Sequence, residues 1–221
     1  MSNFGQQTPG TNADESNAII FLFQRLLSRI RTLDLVKVIS CTNAGGVSPV
    51  GTVNVQVLVN QMTGERQSVP HGTIYSVPYL RIQGGAHAVI LDPQAGDIGL
   101  CGFCSRDISS VKASKAAANP GSYRMFDWAD GVYIFGCLNG TPTQYVQFVA
   151  GGMNLVSPTE ITLQAPNVTV NASTALTVTS PTAGFSGAVT ATDDVTGQTK
   201  SLHNHTHGGV TTGSGTTGPP T

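Results

Sequence analysis

Hydrophobic and polar positions along the chain change period twice. Early on, Ile19, Leu22, Phe23, Leu26, Leu27 and Ile30 recur at steps of three and four, behind a polar stretch, residues 1–13, rich in Gln, Thr, Gly and Asn. That spacing predicts one amphipathic helix, with Asp14 or Ser16 able to cap it. The expected place for its apolar face is against the following domain or against symmetry mates, because its polar face carries too few basic residues for a membrane-surface role.

From Leu33 the period shortens. Residues 36–40, 51–60, 74–79, 86–91 and 98–104 are short and rich in Val, Ile and Tyr. Turns such as Asn43-Ala44-Gly45-Gly46, Thr63-Gly64-Glu65 and Asp92-Pro93-Gln94-Ala95-Gly96 separate them, and such runs read as strands. Five of them suggest a small closed barrel of the OB type. A polar connector, residues 105–130, carries Lys112, Lys115, Arg124 and a helix-compatible Ala116-Ala117-Ala118. It leads past Trp128, the single tryptophan, to another apolar strand at 131–138, read as an excursion that rejoins the barrel.

Beyond Gly151 the texture changes again. Ile161-Thr162-Leu163, Val168-Thr169-Val170 and Leu176-Thr177-Val178 alternate apolar with Thr or Asn residues, in a repeat of about seven to eight residues. Each repeat is one short strand and a turn, with too little apolar surface to fold alone, so it must borrow partners. Three chains wound into a triangular β-helix or β-prism would bury Ile161, Leu163, Val168, Val170, Leu176, Val178, Phe185 and Val189 on the axis, with ladder hydrogen bonds between chains. A flexible Thr-rich linker is the alternative, and it leaves the strict alternation unexplained. The predicted organisation is mainly β: residues 1–32 tail and helix, 33–150 barrel with connector, 151–200 trimeric shaft, and 201–221 apex.

Composition narrows function mostly by exclusion. Twelve acidic against eleven basic residues give a net charge of -1, with 10% of positions charged, so no basic excess points to nucleic acid. The candidate barrel strands also lack the mix of cations and stacking aromatics that single-strand binding uses. The longest apolar run, residues 18–23, is too short for a membrane span and has no basic region ahead of it, which predicts synthesis and folding in a cytoplasm. Four cysteines are sparse for a disulfide scaffold. Cys101 and Cys104 sit three apart in a predicted strand, facing opposite sides, and are expected as reduced thiols.

The candidate chemistry lies at the end, in Leu202-His203-Asn204-His205-Thr206-His207-Gly208-Gly209, which holds three of the five histidines at alternate positions. In an extended strand these imidazoles share one face. Two from each of three chains would supply six nitrogens, a set suited to an octahedral transition metal. A solvated His-rich tail that binds metal adventitiously is the other reading of the same spacing.

The order of helix, small barrel, alternating repeats and His205-Thr206-His207-Gly208-Gly209 followed by a Gly/Thr/Pro tail resembles the central spike protein at the tail tip of contractile-tailed phages. Ala95-Gly96-Asp97-Ile98-Gly99-Leu100 is similar to the last turn and strand of that family's barrel, and residues 127–136 to a segment after it. The resemblance implies a homotrimeric spike, docked on tail hub or tube proteins, that pierces the host outer membrane mechanically. It implies one Fe ion per trimer held by six histidines, with His205 and His207 as ligands. His203 adds a third alternate histidine, so which pair binds stays open, as does iron against other octahedral metals. No nucleic acid, small-molecule substrate or catalytic residue is expected, since no carboxylate pair or His-carboxylate site is legible. A trimeric receptor-binding fibre or adhesin tip is the alternative, with a tail-associated wall hydrolase behind it.

Overall fold

A computed structural model describes residues 15–63, 65–198, 200–203 and 213. The chain divides into two compact units, Met1–Glu160 and Ile161–Thr221.

The first unit opens with helix α1 (Glu15–Leu27), which ends through tightening bonds from the Arg29 and Ile30 amides to Leu26 and Leu27 carbonyls. No residue of α1 is buried, and Ile19, Leu22, Phe23, Leu26 and Leu27 all face outward. The expectation that the helix packs on the following domain is therefore not met within one chain. After it come β1 (Leu33–Cys41), β2 (Thr52–Val57), β3 (Gln61–Met62), β4 (Ser68–Val69), β5 (Thr73–Pro78), β6 (Ile82–Gly84), β7 (His87–Val89) and β8 (Ile98–Phe103). A short α2 (Ser109–Ser114) and a 3₁₀ turn (Trp128–Asp130) precede β9 (Gly131–Gly136), β10 (Tyr145–Val149) and β11 (Gly152–Val156).

Five strands form one antiparallel sheet in the order β5-β2-β1-β8-β9. Strict alternation in β2 turns Val53, Val55 and Val57 inward and Thr52, Asn54 and Gln56 outward, the signature of a half-buried strand. With Val36, Val38, Val77, Tyr79, Cys101, Phe103 and Tyr133 these valines make the core. The sheet curls until its two edges meet at one parallel bridge, Tyr79 opposite Tyr133, where the Leu80 amide donates to the Tyr133 carbonyl at 2.7 Å. The result is a half-barrel whose seam is a single bridge rather than a full ladder.

Two expectations are corrected here. Residues 86–91 are not a sheet strand: β7 pairs only with β6, in a hairpin apart from the sheet, and β9 supplies the fifth strand. The rejoining of the sheet after the connector is observed. Within the connector the helix is α2 rather than the alanine run. Lys115 adopts a left-handed conformation (φ 56°) and its amide closes the last turn on the Val111 carbonyl, stopping the helix before Ala116.

Strands β10 and β11 form a hairpin across a turn at Ala150-Gly151, where Gly151 takes φ 82°. Every residue of both strands is exposed. In the second unit, residues 161–195 carry no regular element among the described residues, and β12 (Thr196–Gly197) pairs with β13 (Lys200–Ser201).

Candidate functional site

Extended alternation in residues 161–178 leaves the predicted shaft side chains without cover. Ile161, Leu163, Val168, Val170, Leu176 and Val178 are 49–73% exposed, and Phe185 and Val189 are equally open. Valine and leucine in such numbers, spaced at every second position, are the residues a chain normally hides. Among the described residues none covers them.

At the end of this segment the hairpin of β12 and β13 is closed by a carboxylate. Asp194 Oδ1 accepts from the His203 backbone amide at 3.0 Å, and the Leu202 amide donates to the Val195 carbonyl at 2.9 Å. A hydrogen bond from the Ser201 side chain, together with the His203 amide, holds the Asp194 carboxyl below the usual carboxylate range. His203 thus has a carboxylate on its main chain, a neighbour that sequence alone did not place there. Of the three candidate ligands only His203 is described; His205 and His207 lie outside the described residues. Among the described residues no group of three or more His, Cys, Asp or Glu forms a metal cluster.

The donor set is chemically coherent for a transition metal, because imidazole nitrogens at alternate positions suit iron, nickel and zinc alike.

Two polar clamps in the first unit position the half-barrel, and neither was apparent in the sequence. In one, Asp92 is fully buried and accepts from the Tyr79 hydroxyl at 2.5 Å, from Arg81 Nη2 at 2.8 Å and from the Gly45 amide at 2.9 Å. Those bonds, the Tyr79 one foremost, hold its carboxyl below the usual range, while burial and the same bond push the Tyr79 phenol up. In the other, Arg124 reaches Asp130 through Nε (2.7 Å) and Nη2 (2.9 Å), and Asp107 through Nη2 (2.8 Å). Burial pushes the Asp130 carboxyl up, but the Arg124 guanidinium and the Ile108 amide outweigh it and hold it low. Bonds from Ser109 and Ser122 lower Asp107 to about 2.

The second clamp pins the connector to the start of β9, where the Cys104 amide donates to the Asp130 carbonyl at 3.0 Å. Beside it Trp128 packs edge-on to Phe103 (5.0 Å between centroids) and under the Arg31 guanidinium (4.4 Å). All four cysteines are free; Cys101 is buried, which pushes its thiol up to about 12. Arg-Asp pairs are common in any sequence, so only the fold distinguishes these two. The β10–β11 hairpin did leave a signal: alternating runs on either side of Ala150-Gly151-Gly152.

Among the described residues no helix is long and apolar enough to cross a membrane. Residues 46–136 match a family described as the phage protein Gp138 N-terminal domain, a span that covers β2 through β9. Residues 201–221 match the GpV Apex motif, a span that holds His203, His205 and His207. No curated protein matches the chain at a significant level.

Proposed function

From the premise that this chain is a phage tail-tip central spike protein, as its two family matches indicate, and hence a virion component, we propose that it acts as a homotrimeric, metal-stapled point that pierces the host outer membrane. The observation that carries the reading is the run of alternating apolar side chains at 161–178, all exposed in one chain, that precedes the apex motif at 201–221.

Three copies wound about a common axis give those side chains a core and satisfy backbone groups between chains, in a β-helix or prism. Mutually hydrogen-bonded strands resist bending, so axial force from sheath contraction reaches the tip without unfolding it. The last rung of such a shaft has no neighbour beyond it and would fray. His205 and His207 of each chain would hold a metal there, with His203 tied by its main chain to Asp194 at the base of the hairpin. When bound, iron supplies six coordinate bonds that link the chains and couple metal affinity to trimer closure. The half-barrel end docks on tail hub or tube proteins, and the outward apolar face of α1 supports that role. The work is mechanical, with no substrate turned over.

The test is a His205→Ala/His207→Ala double variant. Elemental analysis should find one metal per trimer in the parent protein and none in the variant. Phage carrying the variant should adsorb to cells normally and infect poorly. Unchanged metal content refutes the ligand assignment. Saturable, receptor-dependent binding of the isolated trimer to host cells would point instead to an adhesin tip.

A further inference from the structure

Strand β5 carries one residue more than the strand it pairs with. Val55 lies opposite Ile74 and Val53 opposite Val77, so Tyr75 and Ser76 together oppose Asn54, and Ser76 takes φ 56° to accommodate the extra residue. In a regular strand Tyr75 would share the inward face of Val77. With the bulge, Ile74 packs toward the core and Tyr75 is 69% exposed. Asn54 Oδ1 holds the bulge by accepting from the Ser76 amide at 3.0 Å. A second non-glycine residue with positive φ, Phe126 (50°), stands just before Asp127. Both strained residues adjoin one cleft of about 520 Å³, walled by Val57, His71, Thr73, Tyr75, Asp127 and Trp128. Backbone strain of this kind gathers at ligand sites.

The aromatic wall of the cleft is fixed in advance. Arg31 (4.4 Å) and Phe103 (5.0 Å) hold the Trp128 ring, and His71, whose Nε2 lies 3.1 Å from the Val59 carbonyl oxygen, stands 5.1 Å from it. Polar atoms are left over. Asp127 Oδ1 accepts from the Ala129 amide at 2.9 Å, whereas Asp127 Oδ2, Thr73 Oγ1 and Tyr75 Oη have no hydrogen bond among the described residues. We propose that this cleft binds a neutral oligosaccharide, one sugar ring laying its C–H face on Tyr75 and its hydroxyls against Asp127 and Thr73. Aromatic rings beside a carboxylate and a hydroxyl complement a polyol, which has an apolar face and a rim of donors and acceptors. Charge selects against phosphate-bearing ligands: among the described residues no Lys or Arg lines the cleft, and Asp127 would repel them. A lipid chain would leave the three polar atoms unpaired. The volume is that of a small-ligand site. The cleft lies wholly in the first unit and depends on neither shaft nor metal.

Trp128 is the chain's single tryptophan, so its fluorescence reports occupancy of the cleft. Full-length protein titrated with chitotetraose or maltotetraose should show a saturable change, and with an oligothymidylate none. Tyr75→Ala should weaken that binding about tenfold while leaving the melting temperature unchanged. Asp127→Asn, which keeps an oxygen for the Ala129 amide but removes the carboxylate, should also weaken it, and Tyr123→Ala, at a fully exposed position in the connector, should not. Peptide-free glycan strands from the cell wall and polysaccharide released from lipopolysaccharide distinguish the two sources of such a ligand. Only the second would also attach the protein to intact cells. The proposal is overturned if no neutral glycan gives a saturable change, if both Tyr75→Ala and Asp127→Asn bind as the parent does, or if only the oligothymidylate or a free stem peptide binds.

Discussion

Replacing Leu176 with Ala tests the buried shaft quantitatively. The change removes three methylene-sized groups, each contributing about 0.8 kcal/mol when buried. Leu176 is 67% exposed in the single chain, so about two thirds of that, near 1.6 kcal/mol per chain, is available for burial between chains. Three chains lose about 5 kcal/mol per trimer, before any cavity contribution. In association terms this shifts the trimer equilibrium by three to four decades, roughly. Sedimentation across a dilution series, with thermal unfolding followed by circular dichroism at matched concentrations, reads that shift. Val47→Ala is the control, since Val47 is 97% exposed in a turn and should be neutral. If Leu176→Ala weakens the trimer no more than Val47→Ala does, Leu176 is not in a shared core and the shaft argument fails.

Other perturbations probe the remaining parts. Chelation of the proposed metal should lower the melting temperature of the proposed shaft while leaving the half-barrel transition where it was; a single transition that moves as a whole would contradict separate stapling of the apex. Gly131→Ala would put a methyl 2.8 Å from the Cys101 sulfur and 3.1 Å from the Phe103 ring, and should destabilise the half-barrel by about 1–3 kcal/mol in denaturant unfolding. Because Asp107 is lowered to about 2 in the folded chain, its stabilisation is present above the ordinary carboxylate range and lost as pH falls through that value. The Ser109 amide, which donates to Asp107, should therefore exchange faster between about pH 4 and pH 2 once the intrinsic pH dependence is removed, and protection that stays flat over that window would exclude the clamp.

The valine-rich strands could be read directly because half-buried strands must alternate, and Val36, Val38, Val53, Val55, Val57 and Val77 all lie in the core. Which apolar run completes the sheet could not. Residues 86–91 and 131–136 have similar composition, and the choice is made by distant contacts: the Cys104 amide on Asp130, and Arg124 bridging Asp107 and Asp130. The helix in the connector was misplaced because alanine propensity is a weak prior, overridden by the left-handed turn at Lys115. At the other end, the alternation of residues 161–178 was plain, but among the described residues no strand pairs with it. The Asp194 contact to His203 joins residues nine apart around a hairpin too short to show a strand period.

One measurement bears most directly on the claim that the C-terminal half completes its fold only with two further copies. Sedimentation equilibrium of the full-length protein should give the mass of three chains of 22.9 kDa, with the 161–203 amides protected from exchange only in that species. A monodisperse monomer with those amides protected would contradict it.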